Sequence, residues 1–183
     1  MHQVRNAAGN PVSDGWSLDH TECRDPSAVS QVKRRMLTWQ DVLSALRKVG
    51  LPPAEVHSPP YTLVNLKTTF YTEAAPFTRD LDILHYHVNV QVAPSSYTWH
   101  WGDGSTSVTD TPGRPYPATD VTHMYVHATT PTSPAPLSVD VSYVARYSVD
   151  GGPWLNIPDP ITIPGPTHPL PIKQASAVIV ADE

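Results

Sequence analysis

The sequence has a single cysteine among its 183 residues, so an internal disulfide framework is excluded. That thiol, Cys23, stands in a polar stretch, where an incidental free thiol and a pairing with another chain both stay open. No apolar run approaches the roughly 20 residues of a membrane-spanning helix, so we expect no membrane span. The amino terminus lacks the charged and then apolar pattern of a signal peptide, which indicates a processed chain or another route.

Basic residues are scarce, with 12 Lys and Arg against 17 Asp and Glu and a formal net charge of −5. The one basic run, residues 33–35, is typical of an ordinary solvated surface. Nucleic acids require a basic face, so we expect no nucleic-acid partner. Glycine is also scarce beside proline, 9 residues against 21. Because proline is confined to turns, bulges and sheet edges, this ratio predicts many short elements and long irregular connections.

Signatures of catalysis are missing from the sequence. It has no Gly-x-Ser-x-Gly nucleophile elbow, no glycine-rich phosphate loop that opens a helix, and no acidic ligands at EF-hand spacing. We therefore expect a protein that is not an enzyme and holds no cofactor. His85 and His87 are weak metal candidates, because two histidines on one face of a predicted strand can begin a zinc or copper site. No third ligand follows at a recognisable spacing, so the prediction is no metal.

The pattern along the chain divides it into three regions. Residues 1–36 are polar and weakly patterned, which predicts an arm with little structure of its own. Residues 37–60 combine a helix with a proline-rich linker, and residues 61–183 form the β-rich region.

One short α-helix is predicted over residues 38–49. Thr38 and Asp41 have the spacing of a capping box at its start, and Gly50 follows its end. Its apolar side chains recur at helical spacing, so we expect them to form one buried face. They are Val42, Leu43, Leu46 and Val49.

Period-two alternation predicts strands from about residue 61 onward. It is clearest over residues 84–92, where Leu84 begins a run of five apolar side chains on one face. One buried and one solvated face are typical of an antiparallel sheet. Many short strands with proline-rich turns predict an all-β sandwich. The further predicted features are a strand end at Pro94-Ser95-Ser96, strands over 97–101, 137–143 and 170–180, and a hairpin turn at Asp150-Gly151-Gly152.

The most distinctive motif is an aromatic strand followed by a glycine-flanked aspartate. We expect the two tryptophans to anchor the strand in the core, while the glycines permit positive φ and the aspartate bonds turn amides. A histidine and a tyrosine two residues apart follow, the histidine to bond the turn and the tyrosine to pack. The motif residues are Trp99, Trp101, Gly102, Asp103, Gly104, His123 and Tyr125.

This order of elements resembles the polycystic kidney disease (PKD) domain family. Members typically show an aromatic-x-aromatic-Gly-Asp-Gly turn, then His-x-Tyr, then an alternating strand, and the resemblance covers roughly residues 84–180. The connections at 109–120 and 127–136 are longer and richer in proline than is usual in the family. The resemblance implies an immunoglobulin-like antiparallel β-sandwich, here with an N-terminal arm and one short helix.

A narrower likeness includes Thr62–Leu66 and Asp150–Trp154 as well. With these segments the chain resembles uncharacterised exported actinobacterial proteins that carry PKD domains. The likeness implies a secreted or cell-surface location, and it brings no known activity.

Function is therefore expected at the surface of the sandwich. The main hypothesis is a non-catalytic structural or adhesive module that mediates protein–protein association, including self-association through the arm or the strand edges. Tyr116 and Trp154 stand in loops and form the candidate binding loop, where they could stack on a glycan or fill a partner's pocket. The alternatives are a carbohydrate-binding accessory module and a structural component of a phage virion.

Overall fold

Two long antiparallel strands run through the whole fold. The computed structural model describes residues 35–175, so the predicted arm lies almost wholly outside the described residues, as do the last residues of the predicted strand 170–180. From Leu37 onward the described chain forms one compact unit. Its elements are α1 (Trp39–Val49), β1 (Val56–His57), β2 (Thr62–Leu63), β3 (Thr68–Thr69), β4 (Tyr71–Thr72), β5 (Phe77–Ile83), β6 (Tyr86–His100), β7 (Thr106–Thr109), β8 (Thr122–His123), β9 (Ala135–Val149), β10 (Leu155–Ile163), β11 (His168–Leu170) and β12 (Ile172–Lys173).

The main sheet is built on β6 and β9, which pair along nearly their whole length. On the outer side of β6, β5 pairs with residues 86–92 and β7 with residues 97–100. On the outer side of β9, β10 pairs with residues 141–147 and β11 with residues 135–137. The sheet therefore has two halves that share β6 and β9, one flanked by β5 and β10 and the other by β7 and β11.

A β-bulge at Ser95 keeps one face of β6 buried throughout. Pro94 lies opposite Tyr143 and Ser96 opposite Ser142, so Ser95 is an extra residue on β6. The buried residues have even numbers before the bulge and odd numbers after it. One extra residue shifts the alternation by one place, so both sets face the same side. The prediction that residues 94–96 end the strand is wrong, because small polar residues and proline occur in bulges as well as in turns.

A second layer covers the buried face of the sheet. It contains α1, which contacts β5 and β10, and three two-stranded ribbons that pair β1 with β4, β3 with β8, and β2 with β12. The first two ribbons are antiparallel, whereas β2 and β12 are parallel. Apolar side chains of both layers form one hydrophobic cluster. The predicted all-β sandwich with one short helix is thus confirmed.

The helix begins as the sequence predicts. The Thr38 side chain accepts a hydrogen bond from the backbone N–H of Asp41, whose carboxylate accepts one from the backbone N–H of Thr38. Three of the four predicted core residues, at positions 42, 43 and 46, are buried. Val49 is 59% exposed, so its placement in the buried face is wrong. It occupies the last helical position, and the buried stripe ends one turn earlier.

Turns shorten several predicted strands. Leu84 adopts a φ of 60° in a two-residue turn between β5 and β6, so the long strand begins at Tyr86 instead. A turn also ends the strand that begins near residue 61: β2 stops at Leu63, and Asn65 in the following turn has a φ of 61°.

The predicted hairpin turn joins β9 to β10, with positive φ at both Asp150 and Gly151. Type I′ turns need this geometry, which matches the twist of the flanking strands.

Candidate functional site

The two tryptophans of the motif are fully buried at the carboxyl end of β6. The indole nitrogen of Trp99 donates to the hydroxyl of Thr109 over 2.9 Å, and that of Trp101 donates to Ser107 over 3.1 Å. Both acceptors lie on β7, which pairs beside β6. A buried indole N–H is costly without a partner, so β7 completes the environment that the tryptophans need.

A series of packed aromatic rings extends from the two tryptophans to His123 and Tyr125 in the second layer. The indoles of Trp99 and Trp101 are parallel with centroids 5.6 Å apart, and the His123 ring stacks on Trp101 at 4.6 Å. Tyr125 meets His123 edge-on, and its hydroxyl donates to the backbone carbonyl of Trp101 over 3.0 Å. Burial, followed by the charge of Asp103, raises the pKa of Tyr125, so the phenol remains a hydrogen-bond donor.

Asp103 shapes the turn that follows the strand. One carboxylate oxygen accepts from the backbone N–H and the hydroxyl of Ser105, at 2.9 and 2.6 Å, and the other lies 2.8 Å from His123 Nε2. Burial alone would raise the pKa of Asp103, but the hydrogen bonds from Ser105 and His123 outweigh it and hold the pKa below its usual value. The carboxylate is therefore engaged by the turn and by the aromatic cluster.

The side chains of Ser105, Asp103 and His123 have the composition of a catalytic triad but not its order. In a triad the histidine bonds the nucleophile's hydroxyl and the carboxylate bonds the other ring nitrogen. Here both the serine hydroxyl and the imidazole bond the carboxylate, so Asp103 stands in the middle. The Ser105 hydroxyl therefore donates to the Asp103 carboxylate and not to the imidazole, unlike the nucleophile of a triad. This arrangement holds a turn in place.

The two histidines proposed as weak metal candidates do not share a strand face. His85 lies in the turn between β5 and β6, where its ring is tilted against that of Tyr86 with centroids 4.4 Å apart, whereas His87 lies on β6 with Nδ1 3.1 Å from Asp82 Oδ1. The prediction that both histidines share one strand face is wrong, because His85 lies in the turn before β6 begins. The hydrogen bond to Asp82 raises the pKa of His87. Within residues 35–175, no group of three or more His, Cys, Asp and Glu side chains could hold a metal ion.

The predicted binding residue Tyr116 lines an open groove of about 800 Å³, here called the tyrosine groove. Tyr116 is 85% exposed, and Tyr61 and Tyr71 line the same groove. His57 stacks on the Tyr71 ring at 4.7 Å, and the Lys173 ammonium lies 4.1 Å from the Tyr61 ring centroid. The remaining lining includes Pro59, Pro60, Leu63, Leu66 and Lys67.

A second groove, of about 700 Å³, lies on the main sheet and is here called the sheet-face groove. Its lining includes Gln91, Arg146 and Asn156, and Arg146 donates to the Gln91 side chain over 2.8 Å. The Arg146 guanidinium also lies 5.1 Å from the centre of the Trp154 ring. Of the two residues predicted to form the binding loop, Tyr116 lines the tyrosine groove, whereas Trp154 is not among the described lining residues of either groove and only contacts Arg146 of the sheet-face groove.

The described residues form an all-β sandwich in which the aromatic motif is packed and hydrogen-bonded at the end of β6. Comparison with protein-family models gives no match to the chain, and comparison with curated proteins gives no significant match either. Over the described residues, no helix has the length and apolar character needed to cross a membrane.

Proposed function

We propose that this chain is a non-catalytic, PKD-type structural or adhesive module, secreted or displayed at a cell surface, that mediates protein–protein association. The observation that carries the proposal is the hydrogen bonding of the aromatic motif, whose polar side chains find their partners within the protein. Among the described residues no buried side-chain nitrogen or oxygen lacks a hydrogen-bond partner. The Gly-Asp-Gly turn therefore serves the fold, and binding falls to the surface that this rigid fold presents.

Association through the edges of the main sheet is disfavoured by the edge strands that the structure describes. β5 exposes charged side chains at Arg79, Asp80 and Asp82. β10 contains Pro158 and Pro160, which cannot donate to a new ladder. Charges and prolines on edge strands oppose strand addition. The tyrosine groove, with exposed aromatic and apolar side chains, is the better surface for a partner.

Light scattering coupled to size-exclusion chromatography tests association directly. The full chain is measured from low to high micromolar concentration, beside a variant that lacks residues 1–36. We expect an average mass that rises with concentration. A monomer at every concentration in both forms would rule out self-assembly, and a difference between the two forms would assign the contact to the arm.

The location is tested separately on cells that make the chain. Protease added to intact cells should remove the chain while leaving a cytosolic marker whole. A chain that is protected until the cells are lysed would contradict the proposed surface location.

Carbohydrate binding is a second candidate, and the sheet-face groove favours it. Amide and guanidinium side chains at Gln91, Asn156 and Arg146 suit sugar hydroxyls, and Trp154 is 41% exposed beside Arg146. A glycan array and polysaccharide pull-downs test it, with Trp154→Ala as the disabling variant and Tyr116→Ser as the matched control. No retained glycan, or equal retention by both variants, would exclude this site.

A further inference from the structure

The tyrosine groove carries unpaired positive charge in a chain that is negative overall. Lys67 is exposed and lines the groove, and Lys173 lies over the Tyr61 ring at its border. Within the described part of the chain neither lysine forms an ion pair. The described lining residues include no carboxylate. The groove is therefore complementary to a ligand with a negative charge.

The remaining lining favours an extended peptide over a sugar. Tyrosine rings beside Pro59, Pro60 and Leu66 make an aromatic and apolar trough. Grooves of this composition bind proline-containing segments, which are already extended and lose little entropy on docking. Side-chain amides, which commonly bind sugar hydroxyls, are missing from the described lining. The matching ligand is an extended segment with proline and a carboxylate.

This chain presents such a segment at another part of its surface. Pro158-Asp159-Pro160 is exposed on β10, where the register with β9 is irregular. The prolines cannot donate to a ladder, so the segment does not complete the sheet there. No hydrogen bond or ion pair engages the Asp159 carboxylate within residues 35–175. None of the three residues lines the tyrosine groove of its own copy.

We propose that the tyrosine groove of one copy binds Pro158-Asp159-Pro160 of a second copy, with Asp159 beside Lys67. This inference rests on the proposed association function and names the two surfaces that meet. The contact joins two different surfaces, so each copy has one free groove and one free segment after pairing. Such head-to-tail contacts propagate into open chains, or into rings where the rotation closes.

Charge reversal with complementation tests the contact in the full chain. Lys67→Glu places a carboxylate opposite Asp159, and Asp159→Lys places an ammonium opposite Lys67. Each variant alone should stay monomeric by light scattering where the wild type associates. Mixing the two restores opposite charges at both kinds of contact, so assembly should return in the equimolar mixture.

Controls make the same charge changes at exposed positions that do not line the tyrosine groove and lie outside the segment 158–160. Lys48→Glu and Asp110→Lys should associate as the wild type does, and thermal melts check that every variant is folded. Wild-type assembly in each single variant would overturn the groove contact while leaving the association function in place. A monomeric wild type at all concentrations would overturn the contact and the self-assembly form of the function together.

A peptide probe distinguishes a foreign partner from a second copy. A synthetic peptide spanning residues 156–162 should compete with assembly of the wild type and bind the Asp159→Lys variant, which retains Lys67. Binding of this peptide by a chain that never self-associates would overturn the second copy as the occupant.

Discussion

The imidazole of His123 lies parallel to the indole of Trp101, with ring centroids 4.6 Å apart and planes 3° from parallel. The same imidazole bonds Asp103 through Nε2 over 2.8 Å. His123 is therefore fixed by packing on its face and by a carboxylate at its edge. Because Asp103 also accepts a hydrogen bond from Ser105, the Asp103 side chain links the turn after β6 to the aromatic core.

Removing Trp101 should be severe. Trp101→Ala deletes a fully buried ring that contacts Trp99, Phe70 and His123, and such truncations cost about 3–5 kcal/mol of unfolding free energy. Trp154→Ala removes a half-exposed ring of the same size and should cost less than about 1 kcal/mol. Urea unfolding followed by far-UV circular dichroism measures both. Equal losses would contradict the proposed anchoring role.

The two glycines of the turn should respond differently to alanine. Both have positive φ, 77° at Gly102 and 90° at Gly104, so each substitution carries a strain of roughly 1–2 kcal/mol. A Cβ at Gly102 would also lie 2.6 Å from the backbone nitrogen of Pro136, whereas a Cβ at Gly104 meets open space. Gly102→Ala should therefore cost about 1–3 kcal/mol more than Gly104→Ala in urea unfolding. A smaller loss at Gly102 would show that the strand beside it yields easily.

Asp103 should add an acid-sensitive component to stability. Its pKa is lowered in the folded protein, so its contribution is present above the unfolded pKa of about 3.9 and is lost as the pH falls through the folded value. Asp103→Asn should be less stable than the wild type at pH 7, and the difference should shrink towards pH 2.5. Urea midpoints across this range measure it. Asp110→Asn, at an exposed aspartate outside the motif, is the control variant, and an unchanged slope in Asp103→Asn would refute the linkage.

The bulge makes a prediction about chain length. Deleting Ser95 without other change would shift the alternation of β6 and turn Tyr97, Trp99 and Trp101 towards solvent. We expect that deletion variant to lose its near-UV circular dichroism and its cooperative unfolding. Ser95→Ala keeps the register and loses one hydrogen bond to the Ser142 carbonyl, so it should cost only about 1 kcal/mol. A deletion variant with a native near-UV spectrum would show that the register adapts.

The alternation of polar and apolar residues predicted strand faces well where the register was regular. In β9 buried positions alternate without interruption from Ala135 to Tyr147, and the predicted stretch 137–143 has the expected buried face. In β6 the Pro-Ser-Ser sequence at residues 94–96 was interpreted as a strand end, because the same residue types occur in turns and in bulges. Leu84 was misplaced because a two-residue turn leaves the alternation of the sequence unbroken.

The sequence predicted one part of the candidate site, the turn, but not the other part, the groove. The turn at residues 102–104 was predictable because its glycines and aspartate are local and have few conformational choices. The tyrosine groove was not, because Tyr61, Tyr71 and Tyr116 come from three separate segments. Tyr116 was singled out for its proline-rich loop, but no spacing rule links it to the other two rings. Only the tertiary fold places them around one groove.

The two central strands β6 and β9, which both halves of the main sheet share, determine how the molecule unfolds. Both halves of the main sheet contain the same two central strands. One half therefore cannot unfold while the other stays folded. Proteins commonly open in contiguous cooperative units, and here the unit encompasses both halves. Backbone amides of β6 on either side of Ser95 should therefore exchange with solvent at one common, slow rate set by global unfolding.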